Sequence, residues 1–287
     1  MSIALSRQTR PRPARRRRHP SRSSLWAHLP LALVALVTIF PFYVMVVLSL
    51  QHGKPLTLPS SLFPTRIDLG AYVEALASSD ILGWAGNTLV YSLVSVALVL
   101  VFASIAAYAF AKKRFFGREV MFWSFIAMLM VPYHLTLIPQ FILVSKLGLL
   151  DTMTGLIVPT LANAQALFLM RQFILGIPDE LIEAAKIDGA GELRIFFQIV
   201  LPQCKPIMAT LGVFIFLWHW NDFLWPLVAT RSPDNYVLTV GLYSLQAKDV
   251  SLAVTMAAAV VTFLPILFVY LLLQRYFVRG VTLSGLK

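Results

Sequence analysis

Cysteine is almost missing from this chain: Cys204 is the only one in 287 residues, so no intramolecular disulfide framework can form. Charge is scarce too, at 13% of residues, where an ordinary soluble domain carries about a quarter. Acids are the rarer sign, 13 against 24 lysines and arginines. Only Asp222 lies clearly inside an apolar run, which leaves an ion-coupled transporter short of the ionisable residues it needs at membrane depth. No G-x-x-x-x-G-K-[ST] phosphate loop, no G-x-G-x-x-G and no H-E-x-x-H occurs. The five histidines and the one cysteine show no metal-ligand spacing, and no nucleophile stands beside a base. These absences argue against an enzyme and against a cofactor of the chain's own. If the chain moves something uphill, the energy comes from a partner or an ion gradient.

What is abundant is apolar surface: 58% of residues are hydrophobic and the mean hydropathy is +0.76. Six runs are long enough to cross a hydrocarbon core that needs about 20 residues, so the partner implied first is a lipid bilayer. They extend roughly over Leu25 to Leu50, Trp84 to Ala111, Val120 to Val144, Gly155 to Phe173, Ile207 to Ala229 and Leu252 to Leu273. The first is too long for a signal-peptide core, contains Pro41 and lacks a clear small-x-small cleavage site, so it stays attached as an anchor. Pro132 and Pro139 should kink the third. The fold class expected is an all-α integral membrane protein with six transmembrane helices. Residues 1–24 form a basic, disordered arm and 25–287 the spanning domain.

Orientation follows from the lysines and arginines in the links. The arm holds 8, the Lys112–Arg118 link 4, the Arg171–Lys205 link 4 and the tail from Arg275 3, against Lys54, Arg66, Lys146, Arg231 and Lys248 on the other side. That 19-to-5 split places both termini in the cytoplasm. The net charge of +11 therefore reflects orientation and does not signal nucleic-acid binding.

One cytoplasmic link, about 174–205, breaks the apolar monotony with "EAAKIDGAGELRIFFQIVLP". Pro178 suits a first helical position, with Asp179 and Glu180 in the positive first turn. Gly189 stands where a helix ends in a left-handed residue. Beyond it Leu193, Phe196, Phe197, Val200 and Leu201 recur at helical spacing until Pro202. Two short helices around a glycine elbow result. The first shows small alanines and acids where a lipid-lying helix wants bulky apolar and basic residues. Such a face is built to enter a protein groove.

The pattern Glu183, Ala184, Ala185, Gly189, Ile199, Leu201, Pro202 matches the cytoplasmic "EAA" signature of permease subunits of ABC importers at every position. "LGLLDT", "RQFILGIPDELIEAAKIDGA", "WNDFLWPL" and "QRYFVRGVTLSGLK" extend the resemblance to maltose-type carbohydrate permeases, from about Leu31 onward. Gly191 departs from it, since many relatives have a capping residue there. The resemblance implies a type I importer permease in a bacterial inner membrane. It implies a homologous second permease, an ABC ATPase dimer that binds and hydrolyses the ATP, an external solute-binding protein and a sugar substrate. On the same ground Glu183, Ala184, Ala185, Asp188, Gly189, Ile199, Leu201 and Pro202 would couple to the ATPase. The tail after Arg275 either reaches into the ATPase dimer or serves as a positive-inside anchor. A polyol or glycerol phosphate is the alternative cargo, and an ion-coupled secondary transporter the alternative class.

"WHWNDFLWPL", Trp218 to Leu227, is the candidate substrate path. At 1.5 Å per residue Asp222 lies about 24 Å above the inner end of its span. Trp218, Asp222 and Trp225 then share one face, with Asn221 aligned to Trp225. Aromatics with an amide and a carboxylate suit a sugar ring and its hydroxyls. The same residues also suit an interfacial aromatic belt with interhelical hydrogen bonds.

Overall fold

The computed structural model describes residues 23–53, 60–63, 67–246 and 250–285, and every regular element among them is helical. Residues 1–22 of the expected arm, with all eight of its arginines, fall outside these residues, as do Lys54, Arg66 and Lys248 of the links expected to lie outside. The chain divides into two units, Met1–Val44 and Met45–Lys287. Most of helix α1 (Ser23–Ser49) belongs to the first, where it exposes Leu29, Leu31, Leu33, Val34, Leu36 and Val37. A helix apolar all round suits lipid or another membrane helix as its solvent.

The second unit runs through α2 (Gly70–Ser78), α3 (Ile81–Lys112), α4 (Arg118–Ala127), α5 (Tyr133–Lys146), α6 (Met153–Ile157) and α7 (Ala164–Leu175). After these come α8 (Asp179–Ile187), α9 (Glu192–Ile195), α10 (Leu201–Gln203), α11 (Lys205–Trp220), α12 (Leu224–Ala229), α13 (Leu238–Gln246) and α14 (Leu252–Gly285). Among the described residues three helices are long and apolar enough to span alone: residues 28–49 of α1, α3, and residues 252–271 of α14. Three further spans are bent pairs, giving up to six.

The bends have local causes. Val131 is extended because the ring of Pro132 excludes the helical conformation from the residue before it, and α4 and α5 meet at 107°. The expected kink is thus a full break, while Pro139 stays inside α5 without ending it. Asn163 caps α7 by accepting from the Ala166 N–H at 2.8 Å, and the span from Met153 to Leu175 bends by 47°. The third bend, 73°, falls at Cys204 ahead of Pro206.

α3 is the unbroken member at the centre. Asp80 caps it by accepting from the Gly83 N–H at 3.1 Å, and Lys112 complements the negative end of its dipole. Its buried stripe includes Trp84, Tyr91, Ser92, Ser95, Val99, Ala103 and Ala107. The small members let α7 and α11 approach closely, as membrane helices do. Near its N-terminal end a Cβ on Gly241 would lie 2.1 Å from the Trp84 ring, so only glycine fits there. Three apolar clusters result. One joins Val99, Ala107, Met170, Ile174, Ile182, Ile195 and Val200. A second surrounds Trp84 and Trp220, and a third surrounds Tyr91, Leu156 and Trp225.

Candidate functional site

The coupling stretch folds as two limbs packed against α3 and α7. Pro178 precedes the first helical turn instead of starting it: its ψ of 134° makes it the cap, and Asp179 opens α8. At the other end Ala190 N–H reaches Ala185 O at 2.9 Å and Gly189 N–H reaches Lys186 O at 3.0 Å. That paired closure needs a left-handed residue, and Gly189 has φ +77°. Gly191 then caps α9 with extended backbone and no side-chain bond.

Pro202 does not end the second limb. Between α9 and α10, residues Phe196–Val200 widen into a π-turn in which Leu201 N–H donates to Phe196 O. The helical path thus continues past Pro202 to Gln203. The widened turn divides the apolar stripe. Phe196 and Val200 are buried, whereas Leu193 is 75% and Phe197 56% exposed.

Ile182 and Ala185 of α8 and Ile195 of α9 face the protein body, and burying each isoleucine contributes about 1.5–3 kcal/mol. The opposite surface presents Leu181, Glu183, Ala184 and Asp188, with Ile187 87% exposed. Ile199 and Leu201 are half-buried and Pro202 is exposed. The elbow thus leaves bulky apolar and charged side chains uncovered on the side away from the body. Glu183 also borders a polar cleft of about 290 Å³ with Lys112, Arg114, Arg118, Asp179 and Lys186.

Two consecutive lysines hold the limbs. Lys112 Nζ donates to Asp179 Oδ1 and to Ile177 O, each at 2.6 Å. Lys113 pairs with Glu192, whose Oε2 also accepts from the Tyr108 hydroxyl at 3.1 Å. The hydrogen bond from Lys112, then its charge, lowers the Asp179 carboxyl below the ordinary carboxylate range. The Lys113 bond does the same for Glu192, aided by Tyr108 and opposed by partial burial.

At the C-terminal end of α11 the predicted face is broken up. α11 ends at Trp220, and Asn221 turns its amide back to Leu217 O at 2.7 Å. Asp222 is buried: its carboxylate accepts from the Tyr91 hydroxyl at 2.8 Å and from the backbone N–H groups of Phe223 and Trp225 at the start of α12. Trp225 is wholly buried, its indole N–H donating to Leu156 O at 3.2 Å. Trp218 and Asn221 remain exposed, so the helical spacing did not bring all four residues to one face. The broken end of α5 joins them, with Tyr133 edge-on to Trp218 at 5.9 Å and His134 exposed alongside. Sequence reasoning missed Tyr91, Tyr133 and His219, whose Nδ1–H donates to Ile215 O at 2.8 Å and whose Nε2 lies 3.1 Å from Thr160 Oγ1. Pro132 was the signal that placed Tyr133 at a helix start.

Asp151, in the turn between α5 and α6, has φ +60° and ties that turn to the loop after α12. Its Oδ1 accepts from Arg231 N–H at 2.9 Å and Ser232 N–H at 3.1 Å, and Asn235 donates to its backbone carbonyl at 2.7 Å. Partial burial disfavours its charge, yet the bonds from Arg231, Ser232 and Asn235 prevail and hold the carboxyl near about 2.

The family described as binding-protein-dependent transport system inner membrane component matches residues 99–283. This chain belongs to that family. It resembles the arabinooligosaccharides transport system permease protein AraQ of Halalkalibacterium halodurans, 34% identical over 261 residues, covering 89% of this chain and 94% of that one. It is equally similar to the sn-glycerol-3-phosphate transport system permease protein UgpE of Yersinia pestis, at 34% over 271 residues, 89% of this chain and 95% of the other. A solved bacterial ABC transporter involved in the import of the acidic polysaccharide alginate superposes with a TM-score of 0.80 at 27% identity, over 90% of this chain and 99% of its own. The permease is thus a multi-pass inner-membrane transport subunit and not an enzyme. As part of a binding-protein-dependent ABC importer it works with an ATPase and a solute-binding protein.

Proposed function

We propose that this permease lines half of the translocation pathway for a sugar, mono- or oligosaccharide, in partnership with a homologous second permease. Both termini face the cytoplasm, where a separate ATPase dimer docks on the elbow formed by α8 and α9. An external binding protein delivers the cargo. The observation that carries this reading is the elbow itself. Its inner side is fixed by Ile182, Ala185 and Ile195, while Leu181, Glu183, Ala184 and Ile187 remain uncovered on the side away from the body. Ala184 and Ala185 keep the limb slim enough to enter a groove, and Gly189 sets the angle at which it does so.

Trp218, Asn221 and His134 are exposed groups of suitable chemistry at the broken spans, with Tyr133 half-buried beside Trp218, and we assign the substrate path to these four. Asp222 and Trp225 shape that turn from behind. The likeness to UgpE supports a second cargo, a glycerol phosphate. A dianion would want fixed cations along its route, and no lysine or arginine occurs over residues 132–142 or 206–229, which favours the neutral sugar.

Reconstitution tests both readings. Purified alone, the chain should neither bind nor hydrolyse ATP. With partner permease, ATPase and binding protein in proteoliposomes, it should support ATP-dependent uptake of labelled arabinooligosaccharide but not of glycerol 3-phosphate. Uptake by the chain alone in an ion gradient would overturn the assignment, and uptake of glycerol 3-phosphate alone would overturn the choice of cargo.

A further inference from the structure

The two lysines that close α3 do different work from ordinary surface ion pairs. The Lys112 side chain is only 6% exposed. A buried ammonium costs several kcal/mol unless it is well paired. Here it lies against the N-terminal end of α8, where the helix dipole disfavours a cation. The stability of α8 therefore gives no reason for it. The C-terminal end of α3, which the same charge complements, does. Lys112 thus bridges two helix ends of opposite polarity, held by Asp179 and the Ile177 carbonyl. One residue on, Lys113 grips Glu192, the first residue of α9, with Tyr108 of α3 as a second donor. One helix end therefore holds both limbs of the elbow, one lysine to each.

The other end of α3 is just as firmly tied, to an outer loop. Trp84 Nε1 donates to Pro233 O at 3.0 Å, and Asn87 Nδ2 donates to Asp234 O at 2.7 Å and Tyr236 O at 3.0 Å. Thr88 Oγ1 accepts from Leu238 N–H at 2.8 Å. Between these ends run 32 residues without a proline or a break, about 48 Å at 1.5 Å per residue. The α4–α5, α6–α7 and α10–α11 spans bend by 107°, 47° and 73°, and such hinges absorb a displacement that a straight helix passes on.

We infer that Lys112 and Lys113 are positioning residues for coupling. Each fastens one limb of the elbow to α3, and α3 carries the movement of that elbow to the outer loop at Pro233–Leu238. The inference rests on the reading of the elbow as the ATPase docking surface. It makes α3 the lever between the ATPase and the side from which the cargo enters.

The test uses the complete importer in proteoliposomes and reads uptake per ATP hydrolysed, with co-purification of the ATPase as the check on assembly. Lys113→Glu and Glu192→Lys should each lower that ratio about fivefold to tenfold while the ATPase still co-purifies. The double variant K113E/E192K should return to within about twofold of the unaltered complex, because the pair is exposed enough to be reversed. Lys112→Met should lower the ratio more than tenfold, with partial recovery in Lys112→Arg. Should Lys112→Met fail to assemble, the Lys113–Glu192 exchange decides alone. Asn87→Ala at the far end should leave basal ATP hydrolysis unchanged and reduce its stimulation by loaded binding protein severalfold. A double variant no better than either single one, or single variants that couple normally, would overturn the positioning role. Unchanged stimulation in Asn87→Ala would remove α3 as the lever. If the unaltered complex itself shows no ATP-driven uptake, the proposed function fails and the inference falls with it, whereas the outcomes above overturn the inference alone.

Discussion

Gly189→Val isolates geometry from packing. Gly189 has φ +77°, and a Cβ built there meets nothing within 4 Å, so a side chain brings strain but no collision. For alanine the left-handed conformation costs roughly 1–2 kcal/mol, and a β-branched residue pays more. The chain can escape that strain only by flipping the residue, which breaks the bonds Ala190 N–H to Ala185 O and Gly189 N–H to Lys186 O. Each is worth about 1 kcal/mol net. The perturbation is therefore bounded at roughly 2–4 kcal/mol and confined to the elbow, too little and too local to unfold the spans. Its consequence is angular, because α9 leaves α8 in a different direction.

In matched proteoliposomes Gly189→Val should insert and express normally. It should lose more than tenfold in uptake and in ATPase stimulation by loaded binding protein, with Gly189→Ala intermediate. Gly189→Asn should keep at least half of both, since asparagine tolerates positive φ. Normal coupling in the valine variant would refute the elbow's role. Asparagine failing as badly as valine would refute the conformational account, because the loss would then come from a partner surface that leaves no room for any side chain.

Reporter fusions after Lys113 and after Lys287 should read as cytoplasmic and one after Asp234 as external; a cytoplasmic signal at Asp234 removes the six-span topology. Asp151 should keep the outer loops latched over the whole physiological range. Its carboxyl is depressed to about 2, so the stabilisation is fully present above an unfolded value of about 4 and is lost as pH falls from there through about 2. Asp151→Asn should preserve the left-handed turn and weaken the latch, whereas Asp151→Ala loses both; protease cleavage within residues 229–238 reports the difference. Tyr91→Phe should lower thermal stability by about 1–3 kcal/mol through loss of the bond to Asp222, and Trp218→Ala should leave stability near wild type while reducing uptake. A Trp218→Ala variant with normal uptake removes that residue from the path.

Much of this architecture was legible in residues whose meaning is local. The α8 closure at Gly189 follows from a chirality that only glycine ignores, and the seven positions of the signature are fixed by spacing along one short link. Spans α3 and α14 announce themselves by length and hydropathy alone. What could not be read was where a helix stops when no proline or glycine marks it. α11 ends at Trp220 because Asp222 is taken by Tyr91, 131 positions earlier, and by the N–H groups that open α12. That competition is tertiary, and helical periodicity carries no trace of it. The π-turn at Phe196–Val200 is similar: Pro202 removes one donor, yet whether the chain stops or widens depends on what Phe196 and Val200 can bury.

The break after Trp220 also changes how the candidate path should be understood. On an unbroken helix Trp218, Asp222 and Trp225 would form one strip, and the carboxylate would be the obvious grip for a hydroxyl. In the folded chain that carboxylate is spent on holding the turn, while Trp218 and Asn221 are left at its mouth beside Tyr133, itself placed by the break at Pro132. Two spans thus lose helical continuity close to each other. Broken backbone at membrane depth persists only where protein or a water-filled cavity satisfies its polar groups. Asp222 satisfies the α12 end of its break, and Asn221 satisfies one carbonyl of α11. Selectivity built from such a mouth rests on aromatic faces and neutral donors, which grade sugars by ring shape and hydroxyl pattern more than by charge.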